Sequence, residues 1–442
     1  MKNFLLKSPF VLLCCFVFLS QALSQAQTQA TNTDKARGRE MLAMIKQDLI
    51  KNYYDPAIRG MDVEARFKIA DDKIKEAATP GQILGIIGQV LIELDDSHTF
   101  FLPPSRVNKT DYGWTMQVVG DRCFVTAVAP GSDAEAKGVK PGDEVIQAGG
   151  YAIDRKNHWK FQYLYNALRP QPFIKVVLQA PGGERRELNL AAKIIPGKQQ
   201  VNLTDYNELQ KIVRNSETDE RIGKDRFKNF GKDLLIWKMN EFDLPDLKTD
   251  EALEKARDHK TMILDLRGNG GGYESNMLRL VGSLFDHDVK VADVKTRKET
   301  KLVTAKSRGE KSFTGKLVVL IDSNSGSAAE MLARVVQIEK RGTIMGDQSA
   351  GAVMRARHYQ REVGLDVVVF YGASITVSEV IMSDGQSIEH VGVTPDKVVL
   401  PTGADLAANR DVVLSQAAAL LGVELTPEEA GKLFPKQWRS PW

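Results

Sequence analysis

Leu317-Val318-Val319-Leu320-Ile321 breaks into Asp322-Ser323-Asn324-Ser325-Gly326-Ser327-Ala328-Ala329-Glu330 and runs on as MLARVVQIEK over 331–340. An apolar run, a turn of small residues and helical spacing predict a buried strand, a tight turn and a long helix with Ser327 at its start. A hydroxyl at a strand-to-helix turn lies at a sheet edge, beside backbone N–H groups that lack partners within the helix. Such a hydroxyl can attack a carbonyl and have the resulting oxyanion stabilised, which makes Ser327 the leading nucleophile candidate. The alternative is that Ser325 or Ser327 merely caps the helix.

At 442 residues the chain is long enough for two or three domains, and its apolar and charged fractions, 43% and 26%, suit a globular protein. Acids and bases are nearly balanced and spread along the chain, giving a net charge of +3. No polybasic patch argues for nucleic acid or lipid, and neither partner is expected. The N-terminus differs in kind. Lys2 and Lys7 precede the apolar run Pro9 to Leu19, and Ala22-Leu23-Ser24 places small residues where a signal peptidase cuts. A cleaved signal over 1–24 and an exported mature chain without a membrane span follow, with a retained anchor as the alternative. Of the 3 cysteines, Cys14 and Cys15 lie inside that signal, so Cys123 stands alone and reads as a buried strand residue.

The pattern then changes along the chain. Residues 25–104 form a helical segment, with helical spacing in Met41-Leu42-Met44-Ile45-Leu49-Ile50 and again from Ile83 to Leu94; it runs into Asp95-Asp96-Ser97-His98-Thr99-Phe100-Phe101-Leu102-Pro103-Pro104. Residues 105–195 read as short strands and turns around Ala129-Pro130-Gly131-Ser132 and Pro141-Gly142-Asp143. This stretch resembles a PDZ domain. The resemblance implies a groove that takes a peptide by strand addition, with a carboxylate loop near Tyr112, Gly113 and Trp114 as substrate-binding residues; a module that packs and binds nothing is the alternative. A polar linker is expected over 196–232, an α/β domain with a partly parallel sheet over 233–400, and a helical tail over 401–442.

After the strand ending at Leu266, Arg267-Gly268-Asn269-Gly270-Gly271-Gly272 opens a second strand-turn-helix. The Lys-Ser/Thr ending of a nucleotide loop is absent, and the spacing fits no dinucleotide fingerprint. Paired with the Ser327 turn, this loop suits an oxyanion hole, with N–H groups aimed at one developing charge. A base is needed, and the chain has 6 histidines. His158, His259 and His287 sit in polar surroundings and read as solvated. His98, held between an acidic pair and an aromatic-proline run, is the candidate, with a structural or solvated turn histidine as the alternative.

Taken together, VVLIDSNSGSAAEM, ILDLRGNGGG, the PDZ-like segment, ELDDSHTFFLP and IEHVGVTPD resemble the C-terminal processing (tail-specific) serine peptidase family, over roughly 35–400 and in the family's order. The resemblance implies a ClpP/crotonase-like α/β peptidase core with an inserted PDZ domain. Many members of this family use a Ser/Lys dyad. Ala352 stands where their lysine would be, and no lysine lies between Lys340 and Lys397. This departure selects the Ser/His branch that includes the tricorn core. There the resemblance implies Ser327 as nucleophile, His98 as base, and Ser97 and Glu389 as its orienting relay, with a solvated loop carboxylate as the alternative for Glu389. Oxyanion donors would be the N–H groups of Ala328 and Gly271, with Gly272 the near alternative. The expected function is an exported serine endopeptidase acting on proteins or peptides, with no cofactor and no metal. A silent peptide-binding protein on the same fold, or an esterase or amidase, are the rival readings.

Overall fold

A computed structural model describes residues 29–106, 108–196, 226–243, 246–364 and 368–434; the expected signal peptide and the linker between 197 and 225 lie outside the described residues. Three capped helices open the chain: α1 (Asn32–Asn52), α2 (Val63–Glu76) and α3 (Pro80–Ile92). Thr31 with Asp34, and Thr79 with Gln82, form reciprocal capping boxes, and Asp62 accepts the Ala65 N–H. Their apolar faces bury Ile45, Leu49, Phe67, Ile74, Ile87 and Leu91 against Phe101, Tyr371, Ala373 and Ile375. The last three belong to the peptidase-side sheet, so the helical segment shares its core with a strand from the far end of the chain.

The chain reaches that sheet through β1 (Phe100–Leu102). It then enters a β-rich module along β2 (Asn108–Asp111), which pairs antiparallel with the exit strand β9 (Lys193–Pro196). Between them β3 (Trp114–Val119), β4 (Arg122–Val128), α4 (Asp133–Ala136), β5 (Glu144–Ala148), β6 (Tyr151–Ala152), α5 (His158–Gln162), β7 (Phe173–Gln179) and β8 (Arg185–Ala191) build one sheet in the order β3-β4-β5-β7-β8. Its alternating pattern sends Met116, Val118, Val125, Val145, Val176 and Leu178 into a separate core. Cys123 is buried there, which pushes its thiol well above the ordinary range.

Residues 226–230, expected as linker, form β10 (Arg226–Phe230), antiparallel to β11 (Leu234–Lys238). The reason is packing: Phe227 stacks on the fully buried Trp237 at 5.5 Å. After α6 (Asp246–Arg257) come β12 (Thr261–Asp265), α7 (Glu274–Gly282), β13 (Val289–Lys295), β14 (Thr300–Ala305), β15 (Lys316–Ile321), α8 (Ala328–Ile338) and β16 (Thr343–Gly346). A long hairpin, β17 (Met354–Val363) and β18 (Val369–Met382), precedes β19 (Lys397–Val398). Strands β11, β12, β15, β16 and β19 run parallel, in the sheet order β10-β11-β12-β15-β16-β19. All five residues of β12 and five of six in β15 are buried, as expected of a parallel sheet covered on both faces. Helices α7 and α8 and the sheet β1-β18-β13-β14 cover one face. The other face is covered by Val413, Leu414 and Ala417. All three lie on α10 (Val412–Leu420), which follows α9 (Gly403–Ala407), and Ala430 of α11 (Pro427–Leu433) joins the same cluster, so the expected tail is a structural layer.

One buried ion cluster fastens that layer. Arg267 forks onto Asp265 (2.8 and 2.9 Å) and Asp411 (2.8 Å to each oxygen). Burial opposes the Asp265 charge, yet Arg267 and Lys238 outweigh it and hold the carboxyl well below the usual range. Removing Arg267 strands Asp265, which is 0% exposed, without its main partner. Arg267→Ala is therefore expected to lower unfolding stability by about 3–5 kcal/mol in equilibrium denaturation, with α10 and α11 losing hydrogen-exchange protection first.

Candidate active site

Two turns meet at the carboxyl ends of neighbouring parallel strands. In the turn after β15, the Asp322 N–H donates to Ser325 Oγ (2.9 Å), which itself donates to Leu266 O (2.8 Å) at the end of β12. Ser325 is thus consumed in holding the two turns together. Ser327 follows at the start of α8 with φ 52° and ψ −116°, a conformation an L-residue adopts only under restraint. The restraint comes from Glu330, buried one turn into α8. Its Oε2 accepts the N–H groups of Ser327 (3.0 Å) and Ala352 (2.9 Å), and its Oε1 accepts Gly351 N–H (2.7 Å) and Ser349 Oγ–H (2.6 Å). Burial pushes the Glu330 carboxyl up to about 7 against the pull of these donors. Sequence reasoning missed Glu330, although Ser327-x-x-Glu330 carries the spacing of a capping box.

Gly271 explains how closely the turns approach. A Cβ on it would lie 2.6 Å from Ser327 Cβ and 3.1 Å from Ala328 N, and its φ is 108°. One N–H of the expected oxyanion pair is already engaged. The Gly271 N–H donates to Asn269 Oδ1 (2.9 Å), a side chain folded back into its own turn. Phe242 bridges the same loop, its N–H on Gly271 O (2.8 Å) and its carbonyl receiving Tyr273 N–H (2.7 Å). The N–H groups of Gly272 and Ala328 are left without acceptors among the described residues.

A second cluster gathers around His98. Glu389 Oε1 accepts the Ser97 N–H (2.9 Å), and its Oε2 accepts Ser97 Oγ–H (2.9 Å) and Val353 N–H (2.8 Å). Ser97 Oγ lies 2.7 Å from His98 Nδ1. Proton accounting assigns the ring. A carboxylate only accepts, so the single Ser97 hydroxyl proton points at Glu389, and Ser97 Oγ must accept from Nδ1–H. Neutral His98 then carries its free lone pair on Nε2. Burial lowers the His98 pKa, while the charges of Glu389 and Asp96 raise it and His358 lowers it further.

One peptide group connects the two clusters. The Ala352 carbonyl accepts Ser327 N–H at 2.9 Å, and the N–H of the same peptide unit, on Val353, donates to Glu389. Ser327, Glu389, Ser97 and His98 therefore form a continuous hydrogen-bonded chain.

One further expectation is corrected. His158, read as solvated, is 9% exposed at the start of α5, and burial lowers its pKa to about 4. Tyr112 and Trp114, read as substrate-binding, are core residues of the module; the Tyr112 hydroxyl accepts Gln171 N–H (2.9 Å). Gly113 N–H, expected to face a ligand carboxylate, donates to Asp111 Oδ1 (2.8 Å).

Residues 234–399 match the family described as peptidase family S41. These residues form a peptidase family S41 domain. It is 25% identical over 389 residues to the chloroplastic C-terminal processing peptidase of Tetradesmus obliquus, covering 84% of this chain and 79% of that protein. It is 24% identical to the carboxy-terminal processing protease CtpA of Bacillus subtilis, covering 77% and 67%. With the tail-specific protease of Haemophilus influenzae it shares 26% identity, over 68% of this chain and 43% of that protein. Among solved structures, mature CPAF complexed with lactacystin matches at TM-score 0.62 and 14% identity, covering 85% of this chain and 96% of that one. The photosystem II D1 C-terminal processing protease matches at TM-score 0.50 and 21% identity, covering 89% and 99%. The fold is that of S41 proteases, and the chain is a serine-type peptidase.

The tight approach at Gly271 is testable. Gly271→Ala is expected to displace the Ser327 turn and to cut kcat by about 100-fold or more, because misplacement by about 1 Å already costs that much. Kinetics on a peptide substrate, with circular dichroism to verify folding, measure it.

Proposed function

We propose that this chain is an exported serine endopeptidase in which Ser327 is the nucleophile and His98 the general base. The observation that carries the proposal is the hydrogen-bonded chain from Ser327 through the Ala352–Val353 peptide to Glu389, Ser97 and His98. In this reading His98 Nε2 takes the Ser327 Oγ proton as Oγ bonds to the scissile carbonyl carbon. The oxyanion is received by the N–H groups of Ala328 and Gly272. The imidazolium, steadied by Ser97 and Glu389, passes its proton to the departing amine, leaving an acyl-enzyme on Ser327. Water, deprotonated by the same nitrogen, releases the acid product and regenerates the serine.

The β-rich module, read as a PDZ domain, would recruit substrate. Strand β3 ends its sheet, so no further strand pairs it among the described residues, which supports strand addition of a peptide there, although its Val118 carbonyl already accepts the Ser323 Oγ–H. With Gly113 N–H held by Asp111, recruitment relies on this edge rather than on the 112–114 loop. Three of the relatives are named for processing C-terminal ends or tails, which favours segments near protein C-termini as substrates. Export is supported by the leader composed of Lys2, Lys7, the Pro9–Leu19 run and Ala22-Leu23-Ser24.

Ser327→Ala and His98→Ala are each expected to reduce kcat by at least about 10³-fold with the fold retained. A fluorophosphonate probe should label the parent chain but not Ser327→Ala; an unreactive parent serine would replace this reading with that of a silent binding protein. The acidic limb of kcat/KM should have its midpoint below the ordinary histidine value of 6.5, because burial favours the neutral ring that acts as base. Activity is then kept at mildly acidic pH and lost only as His98 becomes protonated.

A further inference from the structure

Beneath the His98 main chain, three distant segments converge on a buried carboxylate that the relay above does not use. Asp96 is 2% exposed. Its Oδ2 accepts the Tyr53 O–H from the end of α1 (2.8 Å), and its Oδ1 accepts the Thr376 Oγ1–H from β18 (2.6 Å) and the His98 N–H (2.9 Å). The protons run in one direction. Thr99 Oγ1–H donates to Thr376 Oγ1 (3.1 Å) and Thr376 N–H donates to Thr99 Oγ1 (3.0 Å), which leaves the Thr376 hydroxyl proton for Asp96. Tyr53, Thr99 and Thr376 are 0–1% exposed, so water does not compete with these bonds. Three donors aimed at an acceptor suit an ionised carboxylate. A buried charge held so completely, directly under a base, calls for a role beyond capping a turn.

We propose that Asp96 is a positioning residue for His98. It locks the main chain of the base against α1 and β18, while Ser97 and Glu389 lock the ring. Its negative charge also stabilises the imidazolium that forms when His98 takes the Ser327 proton. The inference rests on the Ser327–His98 reading. The charged groups acting on the His98 ring are Glu389 from the loop after β18, Asp96 beneath it and His358 on β17. Arg59 adds a guanidinium on the Leu94 and Asp95 carbonyls at the back of the same turn.

Asp96→Asn in the full chain removes the charge and nearly preserves the shape. Expected are a fall in kcat of about 10–100-fold, KM changed by less than about two-fold, and an acidic limb of kcat/KM displaced to lower pH by about half a unit or more. The sign follows from charge: without Asp96 the imidazolium is less favoured, so His98 protonates at lower pH. A merely structural residue would lower the fraction of chains titrated by a fluorophosphonate and leave the limb in place. That outcome, or undiminished kcat, overturns the proposal. Should Asp96→Asn fail to fold, Tyr53→Phe keeps the charge and removes one donor. It is expected to lower kcat about 3–10-fold with the limb unmoved, and full kcat there overturns the proposal. Turnover persisting in Ser327→Ala or His98→Ala would instead sink the parent reading, whatever Asp96 does.

Discussion

The peptide group between Ala352 and Val353 is the joint on which the site depends. Its carbonyl holds the N–H of a serine forced into a left-handed conformation, and its N–H holds the carboxylate that orients the histidine. A peptide unit is planar and rigid, so its two hydrogen bonds are set in fixed opposite directions. Displacement at one end is transmitted to the other. Glu330 secures the same unit from a third side, taking the Ala352 N–H along with that of Ser327. Ala352 contributes only its backbone to this joint.

Precision of this kind requires a stiff surround. Ser327 follows a strand whose inner residues are all buried, and α8 packs almost its whole length into the main core. His98 lies between a helical segment and a sheet strand that share one hydrophobic cluster. The β-rich module touches the same region: Gln117 Nε2 donates to Asp322 Oδ2 (2.6 Å), and Arg155 reaches Asp347, Gly120 O and Gln348 O. Module and core are thus in contact within five residues of Ser327.

Much of this was legible in the sequence. The apolar run from Leu317 and the glycine-rich turn after Leu266 disclose two strand-turn-helix units because both strands are buried on both faces. His98 stands out by its local context, whereas Ser97 and Glu389 enter only through motif resemblance, since no local pattern links residues so distant. Other features were hidden for physical reasons. Whether Gly271 N–H is free depends on how Asn269 folds back, a matter of one side-chain rotamer. Asp96 looks like half of a solvated acidic turn until Tyr53 and Thr376 are brought to it. His158 was misread because its neighbours Lys156, Asn157 and Lys160 are polar, while its own ring turns inward at the start of α5. Residues 226–230 looked like linker because their alternation is short and charged, and the stacking of Phe227 on Trp237 becomes visible only once the strands pair.

The scattering of the site along the chain has a temporal consequence. The segments carrying Ser97 and His98 are made early, Ser327 and Glu330 late, and Glu389 later still, with α10 and α11 needed afterwards to close the second face of the sheet. In a partly made or partly folded chain the Ser327 and His98 turns are therefore not yet joined through Val353, Glu389 and Ser97. Under the proposed mechanism hydrolytic competence arrives only at completion of the fold, and a nascent chain is protected from that chemistry by incompleteness alone.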